Sequence, residues 1–274
     1  MQKYKDMLRY VLDNGVRTED RTGTGTISTF GLQTRFNLQE GFPLVTGKFT
    51  SMKITAAELL WFIRGDQDEK GSIDFLHEHG VKIWDEWVRP DGSFGPIYGV
   101  QWRFWPTCKQ YSIHPTYSID QLSEAIQQIK KNPNSRRIIV NAWNPGEIED
   151  MALPPCHMMY QFSVKEGKLS TLLYQRSADM FLGVPYNIAS YSLLTHVVAN
   201  ICDLEVGDFI WTGGDCHIYQ NHILQTEEYL RRPTHELPKL ELARKIRNID
   251  DFCLEDVKLT GYKYEKKIPA PIAV

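Results

Sequence analysis

Residues 154–202 read PPCHMMYQFSVKEGKLSTLLYQRSADMFLGVPYNIASYSLLTHVVANIC, and this stretch carries the signals that define the fold class. Met158–Val164 and Leu169–Tyr174 have strand character, and the turn Glu166-Gly167-Lys168 between them predicts a hairpin. Asn187–Cys202 is a long, mostly apolar helix. It has no wide polar face, which predicts burial in the centre of the molecule. Strands packed on such a helix define an α+β class. The same stretch carries a candidate nucleophile, Cys156, and a candidate cation, Arg176. An ordinary thiol is mostly protonated at neutral pH, and a neighbouring guanidinium favours its thiolate. A lone cysteine reads equally as a small buried hydrophobe. The surrounding residues separate the two readings.

Outward from this stretch, residues 1–14 place Tyr4, Met7, Leu8, Val11 and Leu12 at helical spacing, closed by Asn14-Gly15. Asp20–Thr26 (DRTGTGT) is a glycine-bearing turn into strand-like residues through Phe36. Thr55–Arg64 reads as a buried helix, and Pro90-Asp91-Gly92 as a turn. Ser118–Lys131 is an amphipathic helix with Ile119, Leu122, Ile126 and Ile129 on its apolar face, and Arg137–Trp143 reads as a strand. Neither a repeat nor a linker interrupts the chain, so residues 1–274 read as one domain with a mixed sheet packed on the central helix.

The 274 residues are 42% hydrophobic and 24% charged, ordinary values for a globular protein. A net charge of −3 supplies no general basic field, which disfavours nucleic acid as the primary partner. Cysteines 108, 156, 202, 216 and 253 are odd in number and form no C-x-x-C, which points to free thiols in a reducing compartment and away from a metal site. No apolar run approaches the ~20 residues of a membrane span. The expectation is a soluble, cytoplasmic protein.

DRTGTGT (20–26), ELLWF (58–62), IWDEW (83–87), GPIYGVQWR (95–103), SRRIIV (135–140), PPCH (154–157), YQRSADMFLGVPYNIASY (174–191) and GDCHIY (214–219) follow one another in order. Together they resemble the thymidylate synthase family over essentially the whole chain, to the closing APIAV. The resemblance implies an α+β fold that dimerises through its sheet. It also implies reductive methylation of dUMP by 5,10-methylenetetrahydrofolate, giving dTMP and dihydrofolate, without a metal. Cys156 would add to C6 of the pyrimidine, making C5 nucleophilic.

The resemblance assigns dUMP phosphate to Arg21 and Arg176 of one chain and to Arg136 and Arg137 of the partner chain, because a guanidinium fork matches phosphate oxygens. An Arg-Arg pair alone reads equally as a solvated strand entrance. Gln175, Ser177, Ala178 and Asp179 would line the nucleotide, and His217 and Tyr219 would bind the deoxyribose hydroxyl. Asn187 offers a donor and an acceptor suited to uracil, where dCMP hydroxymethylases carry Asp; its other reading is a helix cap. Glu58 implies a proton network at the pyrimidine O4, Tyr98 assistance in removing the C5 proton, and His157 and Asp179 network and folate contacts. Trp84, Trp87 and the tail at Ala273 would pack on the folate; on composition alone they are core aromatics and a frayed terminus.

Phe49 and Ser51 depart from the family pattern, which has basic and histidine residues there for the folate tail, and Val100 stands where a basic residue is frequent. Gln67–Gly71 reads as a short insertion. Three rivals remain at this level: a dUMP hydroxymethylase on the same scaffold, an RNA-binding regulator, and a Cys-His hydrolase. The last lacks an oxyanion-hole motif, and adjacent Cys156 and His157 would point apart on an extended strand.

Overall fold

The computed structural model of the chain describes residues 1–19, 23–107 and 117–272. In chain order these form helix α1 (Gln2–Asn14), strands β1 (Val16–Thr18) and β2 (Thr26–Asn37), helices α2 (Met52–Arg64), α3 (Ser72–Glu78) and α4 (Tyr98–Phe104), and the paired strands β3 (Trp105–Thr107) and β4 (Tyr117–Ile119). Then follow α5 (Gln121–Lys131), β5 (Ile139–Asn141), β6 (His157–Lys165), β7 (Lys168–Asp179), α6 (Gly183–Ile201), β8 (Glu205–Tyr219), α7 (Ile223–Arg231), β9 (Lys239–Leu242) and β10 (Val257–Thr260).

A sheet of order β1-β2-β8-β7-β6-β5 forms the scaffold. β7 and β8 are parallel and the other neighbours antiparallel, so the sheet is mixed, as expected. Parallel neighbours need a crossover, and α6 supplies it, lying against β7, β8 and α2. Its residues Val184, Ile188, Leu193, Leu194, Val197 and Val198 are fully buried, which accounts for the missing polar face. The hairpin between β6 and β7 turns at Glu166 (φ 51°) and Gly167 (φ 74°). Positive φ at both central residues matches the right-handed twist of the flanking strands.

Several boundaries differ from the sequence expectation. α5 begins at Gln121 rather than Ser118, because Asp120 caps it by accepting from the Ser123 amide at 2.9 Å, while Tyr117–Ile119 pair with β3. α6 begins at Gly183 rather than Asn187. Pro185 looks like a breaker but sits in the first turn, where no amide partner is needed. The strand expected over 137–143 contracts to Ile139–Asn141, leaving Trp143 in a loop. The central strand β8 was not anticipated. It pairs along both edges, so its residues do not alternate cleanly, and Gly213-Gly214 interrupts its apolar pattern. A Cβ at Gly214 would sit 2.9 Å from the Arg176 carbonyl oxygen, so the glycine permits the close approach of β8 to β7 there.

His196 on α6 lies 6.0 Å from the Phe42 ring, with its Nε2 buried and unpartnered. Burial holds its pKa down to about 4, below the ordinary 6.5. The unfolded chain therefore takes up the proton first as pH falls, and the stability present above 6.5 is lost between pH 6.5 and about 4. His196→Phe should flatten this decline, gaining about 1–2 kcal/mol over the parent at pH 5 in urea unfolding and less at pH 7.5.

Candidate active site

The site is built where β6 and β7 reach the end of their hairpin. His157 pairs with Gln175, and a bulge separates His157 from Met159 in the register. One step beyond, the Arg176 amide donates to the Cys156 carbonyl at 2.8 Å. The Arg176 side chain folds back over the same loop. Its Nε donates to the Pro155 carbonyl and its Nη2 to the Pro154 carbonyl, each at 2.9 Å, and Nη2 lies 3.9 Å from the half-buried Cys156 Sγ. Among the described residues no carboxylate forms an ion pair with Arg176, so its charge is available to a thiolate and to an anionic ligand.

Behind the thiol stands an aromatic wall. Tyr98, at the start of α4, accepts the Cys156 amide on its hydroxyl at 2.9 Å and stacks on His157 with ring centroids 4.2 Å apart. Burial raises the Tyr98 pKa well above 10, reinforced by Cys156 next to it, so the hydroxyl stays protonated. His157 meets the Tyr191 hydroxyl through Nδ1 at 2.7 Å. Burial holds its pKa down to about 3, so the ring is neutral. A neutral imidazole engaged by tyrosines is poorly placed to deprotonate the thiol, which weighs against a Cys-His hydrolase.

Glu58, on α2, accepts from the Trp84 indole at 2.7 Å. Its burial in this wall pushes the carboxyl up to about 7, against the lowering effect of the Trp84 bond. A carboxyl poised there can hold or release a proton at neutral pH. Trp84 touches Tyr98 edge-on at 5.9 Å and Trp87 at 5.9 Å, so the wall continues from the thiol to the half-buried Trp87.

On β7 the Gln175 amide donates to the Asn187 Oδ1 and to the Ser177 carbonyl, both at 3.0 Å, while its own oxygen accepts from the Trp211 indole at 2.9 Å. Asn187 lies inside α6 and is not its cap. Gln175 orients the Asn187 side chain so that its oxygen is already bonded. Leu182 occupies the cap position, and in the turn before it the Asp179 Oδ1 accepts from the Phe181 and Leu182 amides at 3.0 and 3.1 Å. Parallel pairing sets Ser177, Ala178 and Asp179 beside Asp215, Cys216 and His217 of β8. His217 Nδ1 is 2.7 Å from Asp215 Oδ1, and its ring meets Tyr219 edge-on at 5.0 Å.

The fold does not bring Arg136 and Arg137 to this cluster. Both are exposed and line a cavity of about 700 Å³ with Trp105, Gln121, Glu124 and Ile139. Arg21 and Ala273 lie outside the described residues. Four neighbours carry no site role on sequence grounds: Trp143, 5.2 Å from the Arg176 guanidinium; Tyr191; Lys48, the basic residue that remains in 47–51; and His222. Lys48 is buried, donates to the Phe181 carbonyl, and has its pKa lowered to about 7 by burial, with Asp179 opposing. His222 holds the Pro271 carbonyl at 2.7 Å between the rings of Phe181 and Tyr219. Nothing in their local patterns distinguishes them from core residues. The unusual positions have structural roles: Ser51 caps α2 by accepting from the Ile54 amide at 3.3 Å, and Phe49 packs on Tyr264 at 4.9 Å.

Among the described residues no cluster of His, Cys, Asp and Glu is arranged to hold a metal, and no helix is long and apolar enough to cross a membrane. A thiol beside a guanidinium that forms no ion pair among the described residues, with a carboxyl poised near neutrality in the adjoining wall, is an arrangement capable of covalent chemistry on an anionic ligand. The chain belongs to the thymidylate synthase family, whose model matches residues 2–274. It is also 54% identical over 274 residues, covering 100% of both chains, to a thymidylate synthase of Vesicomyosocius okutanii subsp. Calyptogena okutanii (strain HA).

Glu58 binds its proton more tightly folded (about 7) than unfolded (4.5), so its contribution to stability is present at pH 4.5 and lost as pH rises towards 7. Glu58→Gln should match the parent's thermal stability at pH 4.5 and exceed it at pH 8, by on the order of 2–3 kcal/mol. Turnover should fall roughly a hundredfold or more. Equal pH dependence of Tm in the two proteins would show that the Glu58 carboxyl is not perturbed.

Proposed function

We propose that this chain is a thymidylate synthase, converting dUMP to dTMP with 5,10-methylenetetrahydrofolate, within one catalytic domain spanning residues 1–274 and in the reducing cytoplasm. The observation that carries the residue assignment is the Cys156 thiol held beside Arg176, in a chain that matches the family throughout. Cys156 adds to C6 of the uracil. Negative charge then grows on O4, and Glu58 holds a proton for that oxygen through water. Tyr98, its hydroxyl neutral and 2.9 Å from the Cys156 amide, assists removal of the C5 proton.

Asn187, oriented by Gln175, reads the base, while His217 and Tyr219 hold the sugar hydroxyl. Ser177 and Ala178 complete the nucleotide wall, with His157 a neutral support behind the thiol. The indole wall at Trp84 and Trp87, with the Asp179 carboxylate, fits the flat face and polar edge of a reduced folate. When bound, the folate supplies the one-carbon unit and the hydride.

The phosphate is clamped by Arg176 and Arg21 of one chain and by Arg136 and Arg137 of a second copy. Supporting this, Arg136 and Arg137 are exposed and, among the described residues, form no ion pair. The sheet also leaves Phe30 85% and Ile139 41% exposed, apolar surface that a second copy would cover.

Incubation with dUMP and methylenetetrahydrofolate should yield dTMP and dihydrofolate. Hydroxymethyl-dUMP with tetrahydrofolate would instead mark a hydroxymethylase. Cys156→Ser should lose turnover while staying folded, and more than a tenth of parental kcat would rule out the nucleophile (a tenth is roughly 1.4 kcal/mol of barrier). Inactive Cys156→Ala and Arg136→Ala chains should recover activity on mixing, because one site of the mixed dimer then carries neither defect. Subunit exchange without recovery would place the arginines off the partner's site. Asn187→Asp should erode discrimination between dUMP and dCMP, since a buried polar contact gives strong selection when its partner is lost.

A further inference from the structure

The indole of Trp143 lies under the Arg176 guanidinium, with 5.2 Å from the central carbon to the ring centroid. The negative face of an indole attracts a cation at this distance and sets the plane of a planar one. Arg176 is thereby held on two sides: the carbonyls of Pro154 and Pro155 take its edge, and Trp143 takes its face. This matters because Nη2 is 3.9 Å from Sγ, long enough that a small rotation of the guanidinium decides whether it supports the thiolate.

Trp143 is itself fastened in place. Its amide donates to Asn141 Oδ1 at 3.0 Å, and Asn141 Nδ2 donates to the Trp143 carbonyl at 3.2 Å. Gln121, the first residue of α5, grips the Asn141 backbone from both ends, accepting its amide at 3.1 Å and donating to its carbonyl at 2.8 Å. These bonds fix the backbone from which the Trp143 ring projects towards Arg176.

We propose that Trp143 is a positioning residue for the nucleophile: its ring fixes the plane of Arg176 beside the Cys156 sulfur. This rests on the reading of Cys156 and Arg176 given above, and the test separates the two. The measurement is alkylation of Cys156 in the full chain by iodoacetamide at pH 7, followed cysteine by cysteine by peptide mass spectrometry. Trp143→Leu should slow Cys156 modification roughly two- to fivefold, the range that a part-exposed cation–π contact supports. Trp143→Phe should recover part of the rate. Loosened packing alone has the opposite sign, because a more exposed thiol reacts faster.

Tryptophans fluorinated at position 143 alone keep the ring's shape while weakening its negative face, and so guard against a Leu variant that fails to fold. The rate should fall stepwise with added fluorine. An unchanged or faster rate across that series overturns the proposal. If Arg176→Gln slows alkylation while the fluorinated series does not, only the role of Trp143 falls. If Arg176→Gln leaves the rate unchanged, the pairing of thiolate and guanidinium falls, and the proposal with it.

Discussion

The hydrogen bond from the Arg176 amide to the Cys156 carbonyl, 2.8 Å long, is the contact on which the site depends. It extends the β6–β7 ladder past the bulge at His157 and joins two segments that are otherwise separated by a whole hairpin. The two prolines before Cys156 lack amide protons and cannot continue a ladder. Their carbonyls remain as acceptors, and the Arg176 side chain takes both. The same geometry turns the Cys156 amide towards the Tyr98 hydroxyl, so backbone pairing places thiol, cation and phenol together.

Burial then sorts the charges. The wall of Trp61, Phe62, Trp84, Phe94 and Tyr98 excludes water, which penalises every ionised form within it. Glu58 moves up, His157 moves down and Tyr98 moves up, all towards neutrality; Lys48, buried apart from the wall against Phe181, also moves down. Arg176 sits at the half-buried rim, where a cation survives and meets an anion without an ion-paired carboxylate among the described residues. A neutral interior beside a persistent cation suits a reaction whose substrate is anionic and whose proton transfers occur near pH 7. Glu58, near 7 within this wall, is able to exchange a proton at that pH.

Secondary structure was legible in several elements whose apolar pattern or turn residues are clear. The β6–β7 hairpin, α1 and the buried α6 follow from periodicity and turn residues alone. The failures have separate causes. β8 is paired on both edges and packed beneath α6, so its pattern carries no alternation to read. α6 starts at Gly183 because Asp179 satisfies the amides ahead of it, a side-chain contact that Gly-Val-Pro conceals.

For the site, residue types and their order are legible in the chain itself: a cysteine after two prolines, an arginine in the next strand, a glutamate in an apolar helix, an asparagine in the long central helix. Those are local patterns, and the family resemblance rests on them. Which of these groups meet is set by contacts across the fold. The poise of Glu58 near neutrality comes from aromatic rings brought together from separate helices and loops, and the hold on Arg176 comes in part from a tryptophan on the far side of the β6 strand in sequence. Desolvation and cation–π contact depend on distances across the fold, and no linear pattern encodes those distances.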